Sequence, residues 1–195
     1  VCSSDLGRFL AFLDGDDVWS KDKLSTQVIF MLKNKYPISH TEYAFINAEG
    51  KLLPRGHLKV DREVDLKKLM KTTQLGLSTV MVDRRQIGKT VPFPEKRTLS
   101  EDTAAWMSLM RRGFKSYGIP RVMMLYRVRS SQLSGNKARM AFNMLNNYLR
   151  EKSIPLHKRF YYWSCYAVNG FAKRLRKSGG IPAEILQNFD QRYNR

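Results

Sequence analysis

Two groups of acidic residues mark where this sequence could do chemistry. The first is "FLDGDDVW", in which Asp14, Asp16 and Asp17 directly follow the apolar run "RFLAFL", Arg8–Leu13. Such a run fits a strand buried on both faces. Open α/β sheets bind ligands beyond the carboxyl ends of their strands. A sharp turn there aims adjacent carboxylates at one point, and Gly15 lets the backbone approach closely. Hard oxygen donors grouped this way suit Mg²⁺ or Mn²⁺, which keep waters and bind substrate phosphates. The plainer reading of the same residues is an acidic turn that caps the next helix.

The second group is "LSEDTAAW", with Glu101 and Asp102 in the first turn of a helix. Acids are favoured there by the helix dipole, which is a sufficient structural reason for them. The same dipole holds Asp102 ionised, the form that a general base takes. Spacing alone leaves both readings open.

These acids need elements to position them. "RFLAFL" is the first expected strand, and Ser20 is expected to cap a helix through Asn34 with Leu24, Val28, Met31 and Leu32 on its inner face. "TEYAFI", "NAEG" and "KLL" predict a hairpin turning at Asn47–Gly50, and "VDLKKLMK" a short helix. "LSTVMVD", Leu77–Asp83, and "RVMMLYRV", Arg121–Val128, predict strands. A helix over Glu101–Arg112, capped by Ser100 and stopped by Gly113, lies between them. From Lys137 the pattern is helical, over about 138–151, 158–177 and 183–190. Alternating strands and helices followed by a helical tail give an α/β domain with an α appendage.

The 195 residues suffice for one sizeable core. With 35 Lys+Arg against 17 Asp+Glu, the net charge is +18, which points to an anionic partner or to nothing more than solubility. The tail from Lys137 to Arg195 has twelve Lys/Arg against three Asp/Glu and carries "FYYWSCY". Basic residues interleaved with aromatics suit an anionic lipid surface or a nucleic-acid groove, yet no nucleic-acid-binding motif is present. Cys2 and Cys165 are the only cysteines, which excludes a disulfide framework and paired-cysteine zinc spacing. The longest apolar run, Phe160–Val168, falls short of the ~20 residues that span a bilayer. A reducing, cytoplasmic setting fits, with the tail at the inner face of the cell membrane.

Four stretches, in order, resemble bacterial family-two glycosyltransferases of the GT-A fold: "GRFLAFLDGDDVWSKDKLSTQ", "GLSTVMVDRRQIG", "SEDTAAWMSLMRRG" and "YRVRSSQLSGNK". The resemblance implies a partial GT-A (Rossmann-like) sheet with flanking helices over 7–136, followed by a basic α-helical tail over 137–195. It implies an inverting transfer of a sugar from a nucleotide-sugar donor to a saccharide or lipid-linked acceptor in surface polysaccharide synthesis. Asp14 and Asp16 match the Asp-x-Asp motif, whose second carboxylate helps hold Mg²⁺ or Mn²⁺ on the donor diphosphate. Asp17 matches a frequent third acid on the donor side. Asp102 matches the catalytic base and Glu101 its acidic neighbour. Arg127 and Arg129 fall where such enzymes contact diphosphate or acceptor, and Trp106 where that helix carries an aromatic, here expected in the core. Aspartate-nucleophile phosphatases also place Asp-x-Asp after a strand, but continue with small residues where this chain has Asp17, Val18 and Trp19.

The family's opening strand with a Pro-Thr-Tyr-Asn-like motif and its Asp-Asp-Gly-Ser-like turn have no match here. Most of the nucleotide pocket is therefore expected to be absent, and the polypeptide inactive alone. "VCSSDL", residues 1–6, matches no motif, and its codons can coincide with the end of a common sequencing adapter. It is expected to be a non-native leader, so Cys2 and Asp5 carry no redox or metal argument. A basic binding module for anionic lipid or nucleic acid, without catalysis, is the alternative reading of the whole chain.

Overall fold

The computed structural model describes residues 7–72, 74–88, 90–94, 100–128, 137–175 and 187–189. Residues 1–6 (the expected leader), Arg129 and most of the expected third tail helix lie outside the described residues.

In chain order the elements are β1 (Phe9–Ala11), β2 (Val18–Trp19), α1 (Lys23–Asn34), β3 (Ile38–Ile46), β4 (Leu52–Leu58) and β5 (Glu63–Val64). Then come α2 (Leu66–Thr72), a 3-10 turn (Leu77–Thr79), β6 (Met81–Asp83), α3 (Arg84–Ile87) and α4 (Glu101–Arg111). β7 (Ser116–Arg127), α5 (Lys137–Arg150) and α6 (Leu156–Leu175) complete them. The described strands form one mixed sheet in the order β1-β6-β3-β7-β2, with β4 added to β3 and β5 to β7. The spine is the parallel pair β3–β7, running from Ile38 opposite Ser116 to Ile46 opposite Arg127. The other pairings are antiparallel. β1 lies at the sheet's edge, half-buried rather than covered on both faces.

Local chemistry explains where the chain follows its pattern. The hairpin turns at Asn47–Gly50, where the Asn47 N–H donates to the Lys51 carbonyl at 2.9 Å. At position 118 only glycine fits, because a Cβ would run into the carbonyl oxygen of Asp61.

Three elements depart from expectation. α1 starts at Lys23 without a side-chain cap, and it buries Lys23, Gln27 and Met31 while Leu24, Ile29 and Leu32 stay exposed. Polar partners on the sheet side account for this: Gln27 donates to Ser39 Oγ at 3.0 Å and to the Thr79 carbonyl at 3.1 Å. The strand expected over Leu77–Asp83 begins only at Met81. Thr79 Oγ1 donates to the Gly76 carbonyl at 2.7 Å, and such local side-chain bonds compete with a ladder. Ser100 precedes α4 with φ 74° and makes no side-chain cap.

The main core joins Ile38, Val80 and Val82 of the sheet region to Leu69 and Met70 of α2 and Trp106 and Leu109 of α4. Met144 and Tyr148 of α5 and Tyr162 of α6 belong to the same cluster. The Tyr148 hydroxyl donates to the Met70 carbonyl at 2.5 Å, and Asn169 Nδ2 to the Lys71 carbonyl at 2.9 Å. The boundary expected at 136–137 thus does not separate two cores. A second cluster gathers Val18, Ala44, Ile46, Val122, Leu125 and, from the end of the chain, Phe189.

Candidate active site

The acidic loop follows β1 and is fastened from two sides. Ser78, on the 3-10 turn, accepts the Asp14 N–H at 3.1 Å and donates its hydroxyl to Asp17 Oδ2 at 2.7 Å. From β7, the Arg127 N–H donates to Asp17 Oδ1 at 3.2 Å. The Arg127 guanidinium donates through Nε to the Asp16 carbonyl at 2.9 Å, and through one Nη to the carbonyls of Asn47 at 3.1 Å and Ala48 at 2.7 Å.

These bonds sort the predicted donor-side residues. Asp17 is buried, its two oxygens are engaged within the protein, and burial pushes its carboxyl up to about 6. Asp17 therefore shapes the loop that carries the other two carboxylates. Arg127 is 7% exposed and grips three main-chain carbonyls. Its guanidinium thus ties the acidic loop to the hairpin turn at Asn47. Asp14 lies on the exposed rim and Asp16 is half-buried. Partial desolvation and then the charge of Asp16 push the Asp14 carboxyl up.

Asp102 occupies the first turn of α4. Burial above all, and the charges of Asp14 and Glu101, push its carboxyl up, while the Thr103 N–H donating to Oδ1 at 2.7 Å pulls the other way. The charge of Asp14 is among those that reach Asp102, so the two acidic groups lie on the same side of the fold. A ring contact agrees with this: Phe12, two residues before Asp14, meets Trp106, one helical turn beyond Asp102, with centroids 5.8 Å apart. Trp106 is 1% exposed, as the core reading expects.

Other residues near these acids escaped sequence reasoning. Tyr43 of β3 is half-buried against Phe45 and Tyr126, and its phenol is held up by burial and by the charges of Asp17 and Asp102 among its neighbours. Tyr166 of α6 is raised by burial and by Asp102, which puts the tail beside the second acidic group. No local pattern sets these tyrosines apart from core aromatics. Ser78 lay inside a quoted motif, and a polar residue opening an apolar run was its one visible signal.

Among the described residues, no group of three or more His, Cys, Asp or Glu is arranged to hold a metal ion. Asp14 and Asp16 supply hard oxygens whose mutual repulsion a cation would relieve. Two such donors fit Mg²⁺ or Mn²⁺, which fill their remaining positions with water and phosphate oxygens.

No protein-family model matches the sequence. TuaG of Bacillus subtilis, named as a teichuronic acid biosynthesis glycosyltransferase, is 34% identical over 169 residues, covering 87% of this chain and 66% of TuaG. The Escherichia coli protein named UDP-Glc:alpha-D-GlcNAc-diphosphoundecaprenol beta-1,3-glucosyltransferase WfaP is 31% identical, covering 86% of this chain and 64% of its own length. The chain thus spans just under two thirds of each relative. Among solved structures, S. aureus TarS in complex with UDP-GlcNAc superposes with a TM-score of 0.51 at 16% identity, over 97% of this chain and 60% of that one. The mannosyltransferase PcManGT from Pyrobaculum calidifontis, in complex with GDP-Man and Mn²⁺, gives a TM-score of 0.51 at 16% identity, over 93% and 54%. At that identity the likeness is one of fold.

Proposed function

The chain belongs to the bacterial glycosyltransferases of the GT-A fold, and on that footing we propose that it forms the metal-side and acceptor-side part of an inverting enzyme. That enzyme moves a sugar from a nucleotide-sugar donor to a saccharide or lipid-linked acceptor in surface polysaccharide synthesis. The observation that carries the reading is the ring contact of Phe12 with Trp106 at 5.8 Å, which sets the strand end leading to Asp14 against the helix that bears Asp102. The names of the relatives support the acceptor class, and the nucleotide-sugar complexes of the structural neighbours support the donor class.

In this reading Asp102 takes the proton from an acceptor hydroxyl. The oxygen bonds to the anomeric carbon as the bond to the donor diphosphate breaks, and configuration inverts in one displacement. Desolvation makes Asp102 a stronger proton acceptor than an exposed aspartate. Glu101 adds negative charge beside it and disfavours an approaching anion. Asp14 and Asp16 would hold the divalent cation, with Asp16 as the principal ligand. That cation supplies Lewis-acid stabilisation to the charge on the departing nucleoside diphosphate. In the complete protein, Asp102→Asn is expected to lower transfer by about 10²–10⁴-fold with donor affinity retained. Substantial turnover by that variant removes Asp102 from the role.

A second reading concerns the tail at the inner face of the cell membrane. The outer face of α6 exposes Leu156, Phe160, Tyr161 and Val168, with Lys152 and Lys158 exposed beside them. An apolar stripe flanked by cations suits an anionic bilayer, where a lipid-linked acceptor resides. No helix among the described residues is long and apolar enough to cross a membrane. Cosedimentation with phosphatidylglycerol vesicles, lost in Phe160→Glu, tests it. Nucleic-acid affinity that falls steeply with salt, together with indifference of the protein's function to Asp102→Asn, favours the binding module without catalysis.

A further inference from the structure

We propose that Ser78 is the positioning residue of the acidic loop: its hydroxyl holds the Asp14 main chain and the Asp17 carboxylate at once, and so sets the conformation in which Asp14 and Asp16 meet a cation. The inference rests on the metal-side reading above.

The hydroxyl has one proton to give, and that proton goes to Asp17 Oδ2 at 2.7 Å. Its lone pair accepts the Asp14 N–H at 3.1 Å. Ser78 is 1% exposed, so water cannot replace either bond. A side chain that ties a main-chain group to a carboxylate three residues later fixes the curvature of the segment between them, which contains Asp16.

The anchor is itself anchored. The Ser78 carbonyl accepts Trp19 Nε1–H at 2.7 Å, and the adjoining Thr79 carbonyl accepts Gln27 Nε2–H at 3.1 Å. Lys23 Nζ donates to Gln27 Oε1 at 2.5 Å and lies 4.3 Å from the centre of the Trp19 ring. The unexpected polar inner face of α1 thereby acquires a purpose. Lys23 and Gln27 are buried because they hold the turn that holds the loop. Arg127 closes the same loop from the other side. With Ser78 removed, Asp17 keeps Arg127 as a partner and its N–H still reaches the Asp14 carbonyl at 3.1 Å, but the Asp14 N–H loses its partner and the turn its link to the 3-10 segment.

Ser78→Ala in the complete enzyme tests this, with Val80→Ala as a control, since Val80 is fully buried next to the turn and has no side-chain bond to the loop. Mn²⁺ binding in the presence of UDP, followed by the electron paramagnetic resonance of free Mn²⁺, is expected to weaken about tenfold or more in Ser78→Ala and little in Val80→Ala. Hydrogen exchange at the Asp14 amide is expected to quicken by about tenfold in the serine variant alone. Ser78→Thr, which keeps the hydroxyl, is expected to retain Mn²⁺ binding. Unchanged Mn²⁺ affinity and unchanged Asp14 exchange in Ser78→Ala overturn the proposal. If the wild-type enzyme binds no Mn²⁺ while Asp14 exchange still quickens in Ser78→Ala, the metal reading falls and the loop-setting role stands. Should Ser78→Ala fail to fold, Trp19→Phe removes the bond to the Ser78 carbonyl while keeping an aromatic ring beside Lys23, and the same two measurements decide.

Discussion

Phe12 and Trp106 meet edge to face, and Phe93 touches both, at 5.5 Å from Phe12 and 6.0 Å from Trp106. The three rings form a hinge pin between the strand end that leads to Asp14 and the helix that carries Asp102. Edge-to-face geometry is directional, so the pin fixes orientation as well as distance.

Phe12→Ala is therefore expected to lower stability by about 1–3 kcal/mol, less than for a fully buried phenylalanine because Phe12 is half-buried. Transfer by the complete enzyme is expected to fall further than that stability loss explains, because the two acidic groups lose their common reference. Denaturant unfolding alongside single-turnover kinetics separates the two effects. A variant that is destabilised yet transfers sugar at the wild-type rate contradicts the pin.

Arg127 bridges carbonyls from two separate segments, which a lysine ammonium on its flexible stem does not reproduce. Arg127→Lys is expected to cost about 1–3 kcal/mol of stability, seen as a lower melting temperature of the unliganded protein. An unchanged melting temperature with a raised donor KM returns the residue to the diphosphate.

Lys23 is fully buried, and desolvation lowers its ammonium pKa to about 7 from 10.5. Between those values the unfolded chain binds more protons than the folded one, so stability rises with pH across that window, by up to about 1.4 kcal/mol per unit. Lys23→Met is expected to flatten this rise. Chemical denaturation at a series of pH values from 7 to 10 reads it directly. A falling curve in the wild type, with no change in Lys23→Met, contradicts a desolvated lysine.

Ending the chain at Val128 removes Met144, Tyr148 and Tyr162 from the main core. It also removes Glu151, 2% exposed, which pairs with Arg111 at the end of α4 at 3.2 Å. Such a truncation is expected to bind hydrophobic dyes and melt without cooperativity. A cooperative, dye-free transition makes 137–195 a separable tail after all.

The sequence made the acidic clusters legible because each sits at a local boundary, Asp14 after an apolar run and Asp102 at a helix start. The hairpin at Asn47–Gly50, α2, α4 and β7 were legible for the same reason. What escaped depends on residues far apart in the chain. Apolar spacing picked Leu24 and Leu32 for the inner face of α1, but the sheet offered bare carbonyls and a serine there, and Lys23 and Gln27 could bond them. The bonds that hold Asp17 and Arg127 could not be read at all, because their partners lie 61 and about 110 residues away. The tail looked like an appendage because its charge was plain, while the contacts of Tyr148 and Tyr162 were not.

The parallel spine β3–β7 also sets an order of events. Ile38 finds Ser116 and Ile46 finds Arg127 only after roughly eighty intervening residues have been made, and pairings that distant close slowly. Arg127 then reaches back to Asp16 and Asp17. On a nascent chain the carboxylates at 14, 16 and 17 are made about 110 residues before the arginine that closes their loop, so the second of the loop's two fastenings is set only when β7 is in place.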